Sequence, residues 1–364
     1  MGYDWEKRDG FLRGLGYTLR FNAPHERSSM HPRTNLMDAV TSEGQRVLLK
    51  AVSTSAHPHE AAIGQLMTAS PHSEDPRNHC ISIQDIVQDP YDSDIHLLVM
   101  PICIPLDRPM FDTVGEVVDC IRQILEGIQY MHGNYIAHRD CNFTNVMQDP
   151  AVYPDGNFHP ASPWMDSSYS HRSRPITRTE CWPRYLIIDF GLSRRYDPSR
   201  GPPLEGIILG GDKSPPEHQK NLQCNPFPTD IYFLGNLLRS FVRPTWSPLL
   251  FSDVRAFDAP HRPLSFILPL IEKMMQQEPA QRPTIDEVVA EFEAVSRGLT
   301  KAHLRRPAQP LHSLVNLLRH RLRQAKRAWN GIPPLPPYTP YIPSSPLSGD
   351  MRDFFTKLPV AVGN

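Results

Sequence analysis

The feature that most constrains the fold of this chain is a helical repeat of apolar residues that ends directly before a charged loop. Apolar side chains recur at positions 114, 117, 118, 121, 124, 125, 128 and 131, which predicts a helix from Val114 to His132. Gly133 is typical of a helix stop, and the stretch AHRDCNFTNVM (137–147) follows. Its charged and amide side chains indicate a loop that holds groups for acid–base chemistry.

Short strands and further helices are predicted on both sides of this loop. Residues 36–52 are typical of two strands joined by a turn, and NVMQD (145–149) and YLIID (185–189) of a second strand pair. A helix is also predicted at 59–69, a buried strand at 96–105, and further helices at 229–242, 264–277 and 284–298. The sequence therefore predicts an α+β fold.

Three segments have a composition that sets them apart from this core. Residues 150–183 are rich in Pro, Ser, His and aromatic residues, which indicates an insertion that forms a surface excursion. Residues 311–329 form a basic amphipathic repeat that favours docking on a protein surface, with weak contact to a membrane surface as the alternative. Residues 332–346 are expected to be extended and either to bind a polyproline-recognition domain or to act as a spacer.

Charge and cysteine usage restrict the class of protein. The net charge is −1, but residues 301–349 contain eight Lys or Arg and no Asp or Glu, so the body of the chain is acidic and is not expected to bind nucleic acid. The six cysteines form no CxxC pair, which indicates reduced thiols in the cytoplasm or nucleus. No apolar run predicts a transmembrane segment. HPHE (57–60) is interpreted as a solvated helix start, not as part of a metal site.

An ordered series of motifs resembles a eukaryotic protein kinase domain from about residue 36 to 298. The motifs are VLLK (47–50), HRDCNFTN (138–145), IIDFG (187–191), SPPEH (214–218), TDIYFLG (229–235) and QRPT (281–284). The organisation is similar to that of atypical fungal kinase-like proteins without a glycine-rich loop. The resemblance implies a bilobal fold, with a small β-rich N-lobe, a larger helical C-lobe and a nucleotide cleft.

On this resemblance the chain divides into four parts. The N-lobe and hinge span 36–103, and the C-lobe spans 104–300, including the insertion 150–183. Residues 1–35 are expected to pack on the N-lobe as an extension, and 301–364 to form a basic helix and a Pro-rich tail.

The resemblance assigns ATP binding to residues before position 104. Lys50 is expected to hold the α- and β-phosphates, with Glu60 as its ion-pair partner at a spacing shorter than usual in the family. The other interpretation of Glu60 is a first-turn carboxylate favoured by the helix dipole. Met100 stands at the gatekeeper position, and Pro101 and Cys103 at the hinge, where a carbonyl and an N–H would contact adenine.

The later motifs carry the groups for phosphoryl transfer. The resemblance implies that Asp140 accepts the proton of a substrate hydroxyl and that Asn145 and Asp189 bind Mg²⁺. Asp189 is also counted among the ATP-binding residues. Lys50, Asp140 and Asn145 are therefore the candidate catalytic residues, and ATP and Mg²⁺ are the implied cofactors.

Other matching positions imply structural roles. Glu217 and Arg282 would form a buried ion pair, and Asp230 would hold the backbone of the catalytic loop. Phe190 would pack beneath the helix that carries Glu60, and Gly191 would permit a backbone turn.

The expected glycine-rich loop is missing. Its position, Ser29–Thr34 (SMHPRT), contains no glycine, which hinders close approach of backbone N–H groups to phosphate. Gly14 and Gly16 are an alternative, but they lie far along the chain from the Lys50 strand.

Substitutions near the expected phosphates also depart from the family. Leu48 stands where the family has a small residue against adenine, Asn142 replaces a lysine, and Gly210 replaces a threonine. Lys213 or Arg194 could supply the missing cation.

The segment 200–213 contains no Ser or Thr that could be phosphorylated to face Arg139. The hypothesis is that Glu205 or Asp212 supplies a permanent negative charge there.

The sequence leaves two main functions open: a Ser/Thr protein kinase, or a pseudokinase that acts as a binding or scaffolding module. A small-molecule phosphotransferase is disfavoured by the protein-kinase positions at 217, 230 and 282.

Overall fold

The structure is a computed structural model that describes residues 3–20, 34–208, 211–220, 223–242, 262–311, 313–338, 352, 355 and 356. The strands are β1 (Tyr17–Leu19), β2 (Leu36–Thr41), β3 (Arg46–Ser53), β4 (Asp85–Gln88), β5 (Ile95–Pro101), β6 (Ile104–Pro105), β7 (Ile136–Ala137), β8 (Val146–Gln148), β9 (Tyr185–Ile187) and β10 (Arg194–Arg195). The helices are α1 (Asp9–Gly14), α2 (Glu60–Thr68), α3 (Val114–Gly133), α4 (Arg178–Cys181), α5 (Pro216–Gln219), α6 (Pro226–Val242), α7 (Leu268–Met274), α8 (Ile285–Arg297), α9 (Lys301–Leu304) and α10 (Leu314–Trp329).

The chain forms two compact units. The first unit comprises Met1–Pro109, Val146–Ile176 and Pro183–Ser193, and the second comprises Met110–Asn145, Thr177–Trp182 and Arg194–Asn364. The first unit contains the main antiparallel sheet, whereas long helices dominate the second. This mixture confirms the predicted α+β class.

The main sheet has the strand order β1-β2-β3-β5-β4, and all its neighbouring strands are antiparallel. Because side chains alternate between faces along a strand, Val47 and Leu49 point to one face and Lys50 to the other. The face with Val47 and Leu49 belongs to a buried cluster that includes Trp5 and Leu12 from the N-terminal segment. The apolar face is therefore closed by residues that precede β2.

The pairing of β1 with β2 locates the loop that lacks glycine. The connection between these strands contains Ser29–Thr34, of which only Thr34 is among the described residues. Gly16 lies at the opposite end of β1, where a Cβ atom would be 3.4 Å from the Ser42 hydroxyl in the β2–β3 turn. The alternative glycine-rich loop at Gly14 and Gly16 is therefore wrong.

The second unit is built around α3, which packs against α8 and α6. Thr113 caps the N-terminus of α3 by accepting a hydrogen bond from the backbone N–H of Glu116 at 3.2 Å. The structure brings Arg282 and Glu217 together in two hydrogen bonds of 2.7 and 2.8 Å, with both side chains buried. Removing one partner of such a buried ion pair destabilises the fold by several kcal/mol, because the other charge stays buried without a partner.

The start of the Pro-rich segment lies along α3. The hydroxyl of Tyr338 donates to Glu126 at 3.3 Å, and the Arg122 guanidinium lies over the Tyr338 ring at 4.4 Å. Residues 339–346 lie outside the described residues. Over the part of the chain that the structure describes, no helix has the length and apolar character needed to cross a membrane.

Candidate active site

Lys50 is held between two carboxylates of the first unit. Its Nζ donates to Glu60 Oε1 at 2.5 Å and to Asp189 Oδ1 at 2.9 Å. The structure thus brings Lys50 together with Glu60, the first residue of α2, in spite of their short spacing. Burial alone would lower the pKa of Lys50, but the attraction of Glu60 and Asp189 raises this pKa above the usual lysine value. Lys50 is therefore a fixed cation at neutral pH.

Asp189 adopts a backbone conformation that non-glycine residues rarely take. Its φ of 63° lies in the left-handed region, and its side chain accepts from the N–H of Gly191 at 3.2 Å. Its side chain is 45% exposed, whereas that of Glu60 is 4% exposed. Asp189 can therefore contact Lys50 and still offer oxygens to a cation.

Gly191 has a different role from the one expected. The backbone turn belongs to Asp189, whereas Gly191 provides space, since a Cβ atom there would lie 3.1 Å from polar atoms of Asp189, Glu60 and His57. Phe190 is buried, and its short 3-10 helix packs against α2 as expected.

His57 is a site residue that no motif in the sequence indicated. Its Nδ1 is 2.9 Å from the carbonyl oxygen of Gly191, and the ring is partly buried. The interpretation of HPHE as a solvated helix start is therefore wrong for this side chain. Among the described residues, no three His, Cys, Asp or Glu side chains are grouped so that they could hold a metal ion.

A cavity of about 580 Å³ opens beside Lys50 within the first unit. Its lining includes Lys50, His57, Glu60, Asp189 and Arg8. Its volume is in the range of small-molecule sites. The lining also contains Asp4 and Asp92, and Arg8 is paired with Asp89 outside the cavity lining, so carboxylates outnumber lysine and arginine side chains there.

The expected adenine-binding residues lie on β5 and just beyond it. Met100 is the register partner of Leu48, so both share the face of the sheet that carries Lys50. Pro101 is the last residue of β5, and its carbonyl oxygen is 3.7 Å from the Sγ of Cys103. Burial raises the pKa of Cys103 to about 12, which keeps the thiol neutral.

Gly156 and Phe158 of the insertion pack against the same face. Arg46, two positions before Leu48, donates to the carbonyl oxygens of Phe158 and Gly156 at 2.8 Å each, and its guanidinium lies over the Phe158 ring at 4.2 Å. Phe158 and Tyr153 are buried. The prediction of a surface excursion is therefore wrong for this part of the insertion.

In the second unit, the Asp140 carboxylate is held by two amides. Asn142 Nδ2 donates to Asp140 Oδ1 at 2.9 Å, and Asn145 Nδ2 donates to Asp140 Oδ2 at 2.8 Å. Because Nδ2 of Asn145 is committed to Asp140, its Oδ1 is the atom that can bind a cation. Gly211, with a φ of 69°, leaves room for this carboxylate, since a Cβ atom there would be 2.6 Å from Asp140 Oδ1.

Asp230 holds the backbone just before Asp140. Its buried carboxylate accepts from the N–H groups of His138 at 2.8 Å and Arg139 at 2.7 Å, and from His132 Nε2 at 3.0 Å. Arg139 has a φ of 68°, which is unfavourable for a residue with a side chain. The three hydrogen bonds to Asp230 stabilise this strained turn and fix the loop.

The structure places Glu205, and not Asp212, beside Arg139. Glu205 Oε2 is 3.7 Å from the Arg139 guanidinium and 3.6 Å from that of Arg194, and the Tyr196 hydroxyl donates to Glu205 at 3.2 Å. Asp212 instead accepts from the Asn236 amide at 2.6 Å.

The two proposed substitute cations contact other groups. Arg194 pairs with Glu205, and Lys213 donates to the carbonyl oxygen of Ile208. Gly210, the expected threonine position, lies outside the described residues.

A C-terminal aromatic residue was not foreseen near the loop. Phe355 is buried against Ala137 and Phe227, and its ring stacks on His132 with centroids 6.2 Å apart. No periodicity in the surrounding sequence signals this contact.

No protein-family model matches the chain. The chain is 25% identical over an alignment of 231 positions to the "Putative serine/threonine-protein kinase" of Acanthamoeba polyphaga mimivirus, and the alignment covers 57% of this chain and 71% of the viral protein. Together with the motifs, this similarity supports a kinase-like domain and a kinase-like function for the chain.

Proposed function

We propose that the protein is a protein kinase that transfers the γ-phosphate of Mg-ATP to a Ser or Thr hydroxyl of a protein. The observation that carries the proposal is the position of Lys50 between buried Glu60 and exposed Asp189. A cation fixed in this way is suited to hold phosphate oxygens, since phosphoryl transfer depends mainly on positioning and charge stabilisation.

Each remaining group has a defined role in the proposal. Asp189 in the first unit is one proposed ligand of Mg²⁺, and Oδ1 of Asn145 in the second unit is another. Mg²⁺, when bound, would neutralise negative charge on the phosphates. Asp140 would accept the hydroxyl proton of the substrate. Its two amide contacts orient the carboxylate without adding a charge.

A second candidate function is a pseudokinase that binds partners without useful phosphoryl transfer. Three observations favour it: Asn142 puts a neutral amide beside Asp140, Leu48 adds bulk to the face that would meet adenine, and part of the insertion packs on that face through Arg46.

Transfer of labelled phosphate from Mg-ATP to the protein itself and to generic protein substrates tests the proposal. The wild type, Asp140→Asn and Asp155→Asn would be compared, the last as a control because Asp155 is an exposed aspartate of the first unit. We expect activity in the wild type and in the control, and a loss of about 10³-fold in Asp140→Asn, because the general base is removed.

Nucleotide binding, measured by calorimetry on the same samples, separates the two functions. Folded wild-type protein that binds Mg-ATP but transfers no more phosphate than Asp140→Asn would be a pseudokinase. Folded protein that binds no nucleotide would contradict both the ATP-dependent activity and the assigned role of Lys50.

A further inference from the structure

The helix α10 is attached to the second unit by its polar face. Asp112 accepts from His320 Nδ1 at 3.2 Å, Gln324 Nε2 at 3.1 Å, Arg327 at 2.8 Å and Arg323 Nε at 3.1 Å. His320, Gln324 and Arg327 are buried. Positions 320, 324 and 327 lie on successive turns of the helix, so one side of α10 is fixed to the second unit by ion pairs and hydrogen bonds.

The apolar side of α10 points away from this attachment. Leu314, Val315, Leu318, Leu322 and Trp329 are between 55% and 91% exposed. At 3.6 residues per turn these side chains fall within an arc of about 100° and form a stripe along the helix. Exposed apolar stripes of this kind usually mark a binding surface.

Cations border the stripe on both sides. Arg321 lies next to Leu314 around the helix, and Arg319 and Lys326 lie at the other border, next to Val315 and Leu322. All three cations are exposed, and residues 301–349 contain no Asp or Glu. An apolar stripe bordered by Lys and Arg complements a surface that has an apolar interior and an anionic outer layer.

We propose that α10 binds an anionic lipid membrane surface, with the stripe inserted among the acyl chains and Arg319, Arg321 and Lys326 at the lipid phosphates. This orientation matches that of interfacial amphipathic helices, in which aromatic and leucine side chains enter the membrane and basic residues stay at the headgroups. A second copy of the chain fits less well, since pairing two stripes would bring the cationic borders together.

Flotation of the full-length protein with vesicles tests this surface. Vesicles of phosphatidylcholine alone are compared with vesicles that contain about 30% phosphatidylserine. We expect binding to the anionic vesicles that weakens as salt is raised, and much weaker binding to neutral vesicles.

Two double variants separate the apolar and the electrostatic parts of the interaction. Leu318→Ser with Leu322→Ser is expected to weaken binding at least about tenfold, and Arg321→Gln with Lys326→Gln to weaken binding to anionic vesicles and reduce its salt dependence. The matched controls are Leu15→Ser with Leu204→Ser and Arg195→Gln with Lys220→Gln, which change exposed residues elsewhere. Unchanged melting temperatures would show that folding is intact.

Quenching by brominated lipids gives an independent measurement. Trp329 is 91% exposed, so its fluorescence should be quenched on binding, and Trp329→Phe should remove this quenching. Absence of vesicle binding, or binding unaffected by the leucine variants, would overturn the proposal. So would a dimer in the wild type that the leucine variants abolish, since the stripe would then be an interface between copies of this chain.

Discussion

The two units surround their central charged residue with different kinds of hydrogen-bond partner. In the first unit, the Lys50 cation contacts two carboxylates at 2.5 and 2.9 Å. In the second unit, the Asp140 carboxylate contacts two neutral amides at 2.9 and 2.8 Å. Hydrogen bonds to an ionised group are stronger than those between neutral groups, so both arrangements are charge-assisted. The two sites differ in that Lys50 contacts two carboxylates, whereas the two amides that orient Asp140 carry no charge.

The backbone conformations of the two sites are similar, unlike their side-chain partners. Asp189 and Arg139 both have a positive φ, and in both units nearby hydrogen bonds stabilise the strained residue. Asn142 also accepts a hydrogen bond from the N–H of Thr144 at 2.8 Å, so this residue contacts the loop backbone as well as the Asp140 carboxylate.

After Asp140→Asn, the largest effect is expected from Lys50→Met, which removes the fixed cation. Phosphoryl transfer should fall by about 10²–10³-fold, the usual result of removing one electrostatic contact to a transition state. Initial rates measured with Mg-ATP would show this loss.

Lys220→Met is the matched control, because Lys220 is an exposed lysine of the second unit. A Lys50→Met protein that is folded and keeps its activity would place the phosphate-binding cation elsewhere and remove the contrast between the units.

Glu205→Gln is expected to have an intermediate effect. It removes the carboxylate that lies between Arg139 and Arg194, so these like charges would repel and the loop that holds Asp140 would be less ordered. Activity should fall by about tenfold, which corresponds to roughly 1.4 kcal/mol.

Adding Asp212→Asn should cause little further loss, because Asp212 contacts Asn236 and not the arginines. If the double variant keeps both its fold and its full activity, Glu205 does not act as a permanent substitute for a phosphate group.

A smaller gain is expected from Asn142→Lys, which restores a cation beside Asp140. An ion pair would replace the 2.9 Å hydrogen bond from the neutral amide to the carboxylate, at the expense of the hydrogen bond from the Thr144 N–H to Asn142. Activity should rise by roughly threefold to tenfold, measured as kcat with Mg-ATP. A fall in kcat would show that the neutral amide is adapted to this loop, and the wild-type contrast would then be functional and not a defect.

Local patterns predicted much of the architecture. The repeat of apolar residues from Val114 to His132 predicted α3. The predicted pairing of NVMQD with YLIID is present as β8 and β9. Both elements depend on residues close in sequence or on a simple apolar pattern, so they can be identified without knowledge of the tertiary contacts.

Features that depend on distant contacts were not predictable. The space required at Gly191 is set by Glu60 and His57, more than 130 residues earlier in the chain. The repeat in 311–329 identified an apolar stripe, but the buried side of α10 is decided by Asp112, about 200 residues away. Such contacts follow from packing, on which the local sequence pattern carries no information.

The smallest expected effect tests whether Lys50 is a permanent cation. Its pKa is raised, so its stabilising contribution is fully present below the unfolded-state value of about 10.4 and is lost only as pH rises through the higher folded-state value. The difference in unfolding free energy between wild type and Lys50→Met, measured with urea at pH 8, 9 and 10, should therefore stay constant within about 0.5 kcal/mol. If burial outweighed the carboxylates, the folded-state pKa would be lowered. The wild type would then gain up to about 1.4 kcal/mol per pH unit relative to the variant. In that case Lys50 would not be a fixed charge, and the electrostatic difference between the two units would be much smaller than their contacts indicate.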